Sequence, residues 1–480
     1  MLELLRVFNS DSDSDSDCDS DSDIDIINLY FYILYICYII LIFCFIIIHK
    51  EEMLNCNNYK RRLKVYRCSS YNHRITSLYR SFADNCSDRQ STITLGSTKY
   101  SQYKSWDYTL LLAFSDSPVI CSTVRIEELL KEIRLLPPIK QRAIAAIVGA
   151  SVADAATRPF HWLYDVKKLE EIVGDDNDPA FWATSQSPYY TLETGRRSCY
   201  NDICYCMLRS LDPSKSKEEY FRKENFIKSV VDLFAPPSEY STAFVARKEA
   251  YDPAKRTEDR KPIVGPWQQQ SITNFLENVQ TGNFDGNPTV KETDGLMASI
   301  PLIAKLVAEG IDVTKSKTIS DAAELLSSNP FCIRHTYASA SILQEAILNG
   351  CVLDIEKIKD IVPKEHEIDQ QILEELESIT IAVNNKQPYS EAVEKWGRPC
   401  ANPGSFQGSV YSIVTSNSFK SGIRKTILAG GCNCSRANFI GCVLAAVHGF
   451  DEQNGLTLDW LSQTDKVEEI ISLSIDLFKI

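Results

Sequence analysis

Ala429-Gly430-Gly431-Cys432-Asn433-Cys434-Ser435-Arg436-Ala437-Asn438-Phe439-Ile440-Gly441-Cys442, running on to Gly449, opens a helix of small residues. Ser435 reads as the cap of that helix, because a serine hydroxyl can satisfy one of the free amides at a helix start. A second stretch has the same character: Ala143-Ile144-Ala145-Ala146-Ile147-Val148-Gly149-Ala150-Ser151-Val152-Ala153-Asp154-Ala155-Ala156-Thr157-Arg158-Pro159-Phe160-His161-Trp162-Leu163-Tyr164-Asp165. Small side chains let neighbouring elements approach closely, and one carboxylate, Asp154, sits among them. Taken alone, this is a tightly packed core helix ending near Pro159.

Around these two runs, apolar residues recur at spacings of three and four over 125–135, 139–156, 216–234, 271–280, 294–309, 320–326, 336–348, 368–384, 389–396 and 466–478. Strand-like alternation is scarce, so the pattern predicts an all-α domain over residues 125–480. The part of the chain before it is different. Residues 11–25 alternate Ser and Asp with eight aspartates, a tract too polar to bury a core. Residues 26–48 then carry no charge and are rich in Ile, Tyr, Phe and Leu. As a helix rising about 1.5 Å per residue they would cross a hydrocarbon core of about 30 Å, which predicts a transmembrane segment. Lys50, Lys60, Arg61, Arg62, Lys64 and Arg67 follow it, an arrangement that places the rest of the chain in the cytoplasm. If residues 1–50 are not part of the expressed protein, the expectation becomes a cytoplasmic protein. Residues 49–124 are polar and aperiodic and read as a linker.

The 480 residues are 44% hydrophobic and 24% charged, which suits a large folded domain with appended segments. The net charge of −13 argues against a nucleic-acid partner, since phosphate binding needs a basic patch. Sixteen cysteines occur without a repeated spacing, a pattern of reduced thiols rather than a disulfide framework. Most of those after residue 125 sit in apolar runs and behave as small core residues.

Four segments together carry a family resemblance. In the first, Asp154 is followed seven residues later by His161. The second is Gly195-Arg196-Arg197-Ser198-Cys199-Tyr200-Asn201-Asp202-Ile203, leading into an apolar helix. The third is Thr293-Asp294-Gly295-Leu296-Met297-Ala298-Ser299-Ile300-Pro301-Leu302, with Gly265-Pro266-Trp267 and Ser271-Ile272 upstream. The fourth is the stretch quoted first, preceded by Cys400-Ala401-Asn402-Pro403-Gly404-Ser405-Phe406-Gln407-Gly408-Ser409. In this order they resemble the motifs of the ADP-ribosylglycohydrolase family, in particular its J-crystallin branch. The resemblance implies an all-α fold whose ligand cleft lies where the first, second and last motifs converge.

It also implies a chemistry: hydrolysis of the bond between ADP-ribose and an acceptor, with magnesium positioning the ribose and an acidic residue assisting. Set against the family pattern, this chain departs at the demanding positions. His161 stands where the family has Glu. Where the family has Thr-Asp-Asp-Thr, only Asp202 matches, beside Tyr200, Asn201 and Ile203. Cys432 and Cys434 replace two carboxylates of Gly-Gly-Asp-Thr-Asp-Thr. The arginine of the third segment is absent. Magnesium prefers hard oxygen ligands, and an unperturbed thiol is mostly protonated at neutral pH, so the metal is expected to bind weakly or not at all, with Asp202 at most as a ligand.

Three readings follow. One is a glycohydrolase with altered chemistry, with Asp154, His161 and Asp202 as acid–base candidates and a partner that is an ADP-ribose-like small molecule or an ADP-ribosylated substrate. Another is a non-catalytic structural or binding protein of the J-crystallin kind. The third is a thiol site in which Cys432 and Cys434, with Cys199 nearby, bind a soft metal or undergo redox chemistry. Asn201, Asp294, Cys432, Asn433, Cys434 and Ser435 are the remaining candidates for the cleft.

Overall fold

The protein is described by a computed structural model covering residues 118–479, apart from 177, 216–218 and 252–260. The acidic tract, the apolar 26–48 stretch and nearly all of the 49–124 segment lie outside the described residues. Within them the chain forms α1 (Pro118–Arg134), α2 (Pro138–Thr157), α3 (Val166–Val173), α4 (Cys199–Ser210), α5 (Lys223–Phe234), α6 (Glu239–Ala250), α7 (Gln270–Thr281), α8 (Asp294–Ala308) and α9 (Lys317–Glu324). There follow α10 (Pro330–Asn349), α11 (Ile355–Ile361), α12 (Glu367–Asn384), α13 (Tyr389–Trp396), α14 (Gly404–Thr415), α15 (Phe419–Leu428), α16 (Asn433–His448), α17 (Leu458–Ser462) and α18 (Val467–Phe478). β1 (Tyr190–Thr191) and β2 (Ile263–Val264) form a two-stranded parallel pair, with Tyr190 opposite Ile263. The expected all-α class holds, with this pair as a minor addition. Among the described residues no helix is long and apolar enough to cross a membrane.

The two small-residue runs are α2 and α16, and they cross at the centre of the fold. Every residue from Ala143 to Thr157, and every residue from Asn433 to Ala446, is buried. Their closest approach uses two glycines. A methyl group added at Gly149 would stand 2.2 Å from the Ala445 Cβ and 2.6 Å from the Gly441 carbonyl oxygen. One added at Gly441 would stand 2.4 Å from the Ala153 Cβ and 2.6 Å from the Gly149 oxygen. The backbones therefore touch directly, and only glycine permits it. α4, α8, α10, α14, α15 and α18 pack around this pair in the main core.

Several boundaries differ from the pattern. α5 begins at Lys223 rather than 216, and α10 begins at Pro330 rather than 336, with the Asn329 side chain accepting from the Phe331 amide as its cap. α14 has no amphipathic stripe because Gly404 to Ile413 is buried all round. A helix surrounded by protein has no polar face for periodicity to reveal. Ser435 does not cap α16: Cys432 is the cap residue, and the Ser435 hydroxyl donates instead to the Cys432 carbonyl at 2.9 Å.

Candidate functional site

The site forms around a turn of two consecutive glycines at the start of α16. Gly430 (φ +67°) and Gly431 (φ +69°) both take left-handed backbone, which a side chain resists. Gly431 also exchanges two backbone hydrogen bonds with the 162–163 segment, Gly431 N to Leu163 O and Trp162 N to Gly431 O, each 2.8 Å. The Cys432 amide donates to the Arg398 carbonyl at 2.9 Å. The buried Arg436 guanidinium donates to Arg398 O and Thr426 Oγ1, both at 3.0 Å, and to Gly430 O. Three distant segments are thus fixed against each other at one point.

At that point the Cys432 sulfur meets two polar side chains from the first and second motifs. His161 Nε2 lies 3.4 Å from it and the Tyr200 hydroxyl 3.4 Å. His161 Nδ1 lies 2.7 Å from the Tyr190 hydroxyl. Burial holds the Tyr190 phenol well above its usual range. Either end of that bond can donate, and the choice sets whether Nε2 donates to the sulfur or accepts from it. Burial by itself raises the Cys432 thiol, yet the neighbouring Cys400, His161 and Ser435 act against it and bring it well below its ordinary value. These neighbours set Cys432 apart from Cys434, which burial raises.

Asp154 and Asp202, expected to act together, occupy separate networks. Asp154 accepts from the Ser198 amide (2.6 Å), the Ser198 hydroxyl (2.7 Å) and Asn438 Nδ2 (2.8 Å), and it is fully buried. Burial raises its carboxyl despite these bonds. It ties α2 to the cap of α4 and to α16. Asn201 joins the same network by donating to Asn438 Oδ1 at 2.7 Å. Asn433 donates to the Thr157 carbonyl at 3.2 Å, while its own Oδ1 has no partner. The Asp202 carboxylate takes Arg197 Nη2 on one oxygen (3.0 Å) and the Tyr240 hydroxyl on the other (2.9 Å). Arg197 is buried, and its other arm reaches the Asp465 carbonyl at 2.7 Å.

Asp294 leads to a residue not singled out in the sequence. It is buried at the start of α8 against Glu292, and Gln269 donates to it. Burial first, and then the Glu292 charge, raise the Asp294 carboxyl well above its usual range, while burial raises Glu292. Asp294 is the more deeply buried of the two, and the charge of the half-buried Glu292 adds to its shift. One oxygen of each is without a donor, as is the Thr293 hydroxyl. Ser435 lines a cavity of about 10 Å³ with Thr293, His335, Asn402, Ser405 and Ser409, room for a single water.

The structure thus brings His161 and Cys432 together, and separately Asp154 with Asn201. It leaves Asp202 in an ion pair and Cys434 against Thr157 Oγ1 at 3.5 Å. Tyr190, Arg197, Tyr240, Glu292 and Cys400 were not anticipated. Arg197 and Cys400 lie inside quoted motifs and Glu292 one residue before another, so their nearness in sequence was the available signal. Tyr190 and Tyr240 gave none.

The residues present do not fit a magnesium pair. The Asp202 oxygens are engaged by a guanidinium and a phenol, and the sulfurs are poor ligands for a hard cation. Among the described residues no three His, Cys, Asp or Glu side chains are grouped to hold a metal ion.

Comparison with known proteins agrees with the four motifs. The family model of ADP-ribosylglycohydrolase matches residues 136–480. Crystallin J1A of Tripedalia cystophora is 29% identical over 347 residues, covering 71% of this chain and 97% of the crystallin. Crystallin J1B of the same animal is 27% identical over 343 residues, with coverage of 71% and 97%. A solved structure described as an ADP-ribosylglycohydrolase-related protein complex overlaps 72% of this chain and 99% of its own at 16% identity, with a TM-score of 0.43. The match to the family model over most of the chain, with its motifs at the α2–α16 crossing, makes this chain a member of the ADP-ribosylglycohydrolase family.

Proposed function

We propose that this chain is a non-catalytic, structural member of its family, in which the positions that would hold metal and ligand have become part of the core. The observation that carries this is the Arg197–Asp202–Tyr240 arrangement, in which both carboxylate oxygens are committed to buried protein donors. Glycosidic cleavage needs groups free to stabilise charge developing on the substrate. Asp154 is committed in the same way, to Ser198 and Asn438. The two crystallin relatives support the same reading.

A second reading, binding or slow hydrolysis of an ADP-ribose-like ligand, is favoured by one observation. Thr293, Asp294, Glu292 and Asn433 each keep a buried polar atom without a partner, and such atoms usually belong to water or a ligand. Calorimetric titration of the purified full-length protein with ADP-ribose, with and without millimolar magnesium, separates the two. The structural reading expects no heat of binding and an unchanged melting temperature. Saturable, magnesium-dependent binding would favour the second.

A further inference from the structure

α10 and α12 meet through two side-chain pairs. Arg334 of α10 donates to both oxygens of the buried Asp369 of α12, Nε at 2.7 Å and Nη2 at 2.6 Å. One residue on, the buried His335 ring lies between two acceptors. Its Nδ1 is 2.8 Å from the Phe331 carbonyl oxygen, and its Nε2 is 2.8 Å from Glu375 Oε2 of α12. A carbonyl oxygen only accepts, so Nδ1 carries a proton. Nε2 then faces a carboxyl oxygen, and that bond exists only with a second proton between them, on the imidazole or on the carboxyl. The Phe331 and Phe406 rings, with centres 4.3 and 5.3 Å away, fix the plane of the imidazole.

We propose that the His335–Glu375 pair is a proton-operated latch that holds α12 against α10 and lets it loosen as pH rises. Docked, the pair keeps one proton more than a neutral imidazole and a free carboxylate hold together. Its contribution is complete between about pH 4.3 and 6.5, where an undocked glutamate and histidine are already charged, and it falls as pH rises further. Above that range docking must take up a proton. Without it the Nε2 lone pair faces a carboxylate across a buried contact, and both groups lose their partner. The Glu375 side chain is 12% exposed against 2% for His335, so solvent reaches the pair along its carboxylate edge.

The other charged groups around the pair have partners of their own. Arg334 is held by Asp369, Lys359 of α11 pairs with Glu377 at 2.6 Å, and Lys291 stands 5.9 Å from the centre of the Phe331 ring. From α8, α14 and α16 the cavity beside His335 receives Met297, Ser405, Phe406 and Phe439, which carry no charge near neutral pH. α14 adds Gln407, which donates to the Glu375 carbonyl at 3.3 Å. The exposed His366 works in the opposite sense: as the cap of α12 its Nδ1 accepts from the Ile368 amide at 3.2 Å, which a protonated ring cannot do. α12 lies at the surface, with Gln370, Glu374 and Glu377 exposed, so it can open while the α2–α16 centre stays closed. The inference is independent of whether the chain binds ADP-ribose.

The test is hydrogen exchange of the full-length protein at pH 6 and pH 8.5, read by mass spectrometry on peptides from α12 and corrected for the intrinsic rate at each pH. Protection of α12 should fall at least about fivefold over that range while peptides of α2 and α16 keep theirs. Glu375→Gln offers an amide hydrogen to the Nε2 lone pair, so the bond no longer needs the extra proton. Its α12 should be equally protected at both pH values, and better protected than wild type at pH 8.5. His366→Asn keeps a cap that does not titrate, and the wild-type fall should persist in it. The proposal is overturned if wild-type α12 is protected equally at both pH values, if α2 and α16 lose protection to the same extent, if Glu375→Gln retains the wild-type fall, or if His366→Asn abolishes it.

Discussion

Replacing Arg197 with Met removes the buried cation that pairs with Asp202 and leaves a carboxylate in the core with only the Tyr240 hydroxyl. Arg197 donates to Asp202 at 3.0 Å and to the Asp465 carbonyl at 2.7 Å, and its guanidinium lies 5.1 Å from the centre of the Tyr205 ring. Removing one partner of such a pair costs about 3–5 kcal/mol, because the other charge remains buried and unpaired. For a domain of roughly 350 residues, an unfolding entropy of about 2.1 cal/mol/K per residue gives about 0.7 kcal/mol per degree, so the melting temperature should fall by about 4–7 °C. The double change Arg197→Met with Asp202→Asn should recover most of that loss, since no charge is then left without a partner. Thermal melts of wild type, both single variants and the double variant form the cycle. A fall of less than about 1 °C for Arg197→Met, or a double variant no better than the single, would refute the view that Arg197 neutralises Asp202.

Two further changes probe other parts of the fold. Gly441→Ala places a methyl 2.4 Å from the Ala153 Cβ and 2.6 Å from the Gly149 oxygen, so α2 and α16 must separate. The expected loss is at least about 1–3 kcal/mol, read as a lower denaturant midpoint, and an unchanged midpoint would contradict the direct backbone contact. Asp294→Asn tests the buried carboxyl beside Glu292. An acid raised on folding, here by burial and by Glu292, adds its stability fully below its unfolded value, near 4, and loses it as pH rises through the folded value. The variant should therefore melt higher than wild type at pH 8, by about 1–3 kcal/mol, with the difference shrinking toward pH 4. Equal melting curves at pH 8 would remove the argument.

How much of this was legible in the sequence depended on what each residue's signal is. α2 and α16 could be recognised because small residues in long runs have one physical use, close packing. α14 could not be delimited, since a wholly buried helix has no polar face. Asp154 and Asp202 were found as residues but not with the partners that hold them. A carboxylate looks the same in a sequence whether it meets solvent, a metal or Arg197. Cys434 is two residues from Cys432 yet faces Thr157 and the Asp154 carbonyl, which the spacing alone does not reveal. Glu292 was passed over although Asp294 was quoted, and the pairing of the two becomes visible only in three dimensions.

The central claim, that the site is structural rather than catalytic, is tested most directly by one incubation. Purified full-length protein is mixed with an ADP-ribosylated protein in the presence and absence of millimolar magnesium, and free ADP-ribose is separated and quantified over hours. With Asp202 committed to Arg197 and Tyr240, and Asp154 to Ser198 and Asn438, release should stay at the level of the protein-free blank in both conditions. Release above that blank that rises with magnesium and is lost in Asp154→Asn would contradict the account.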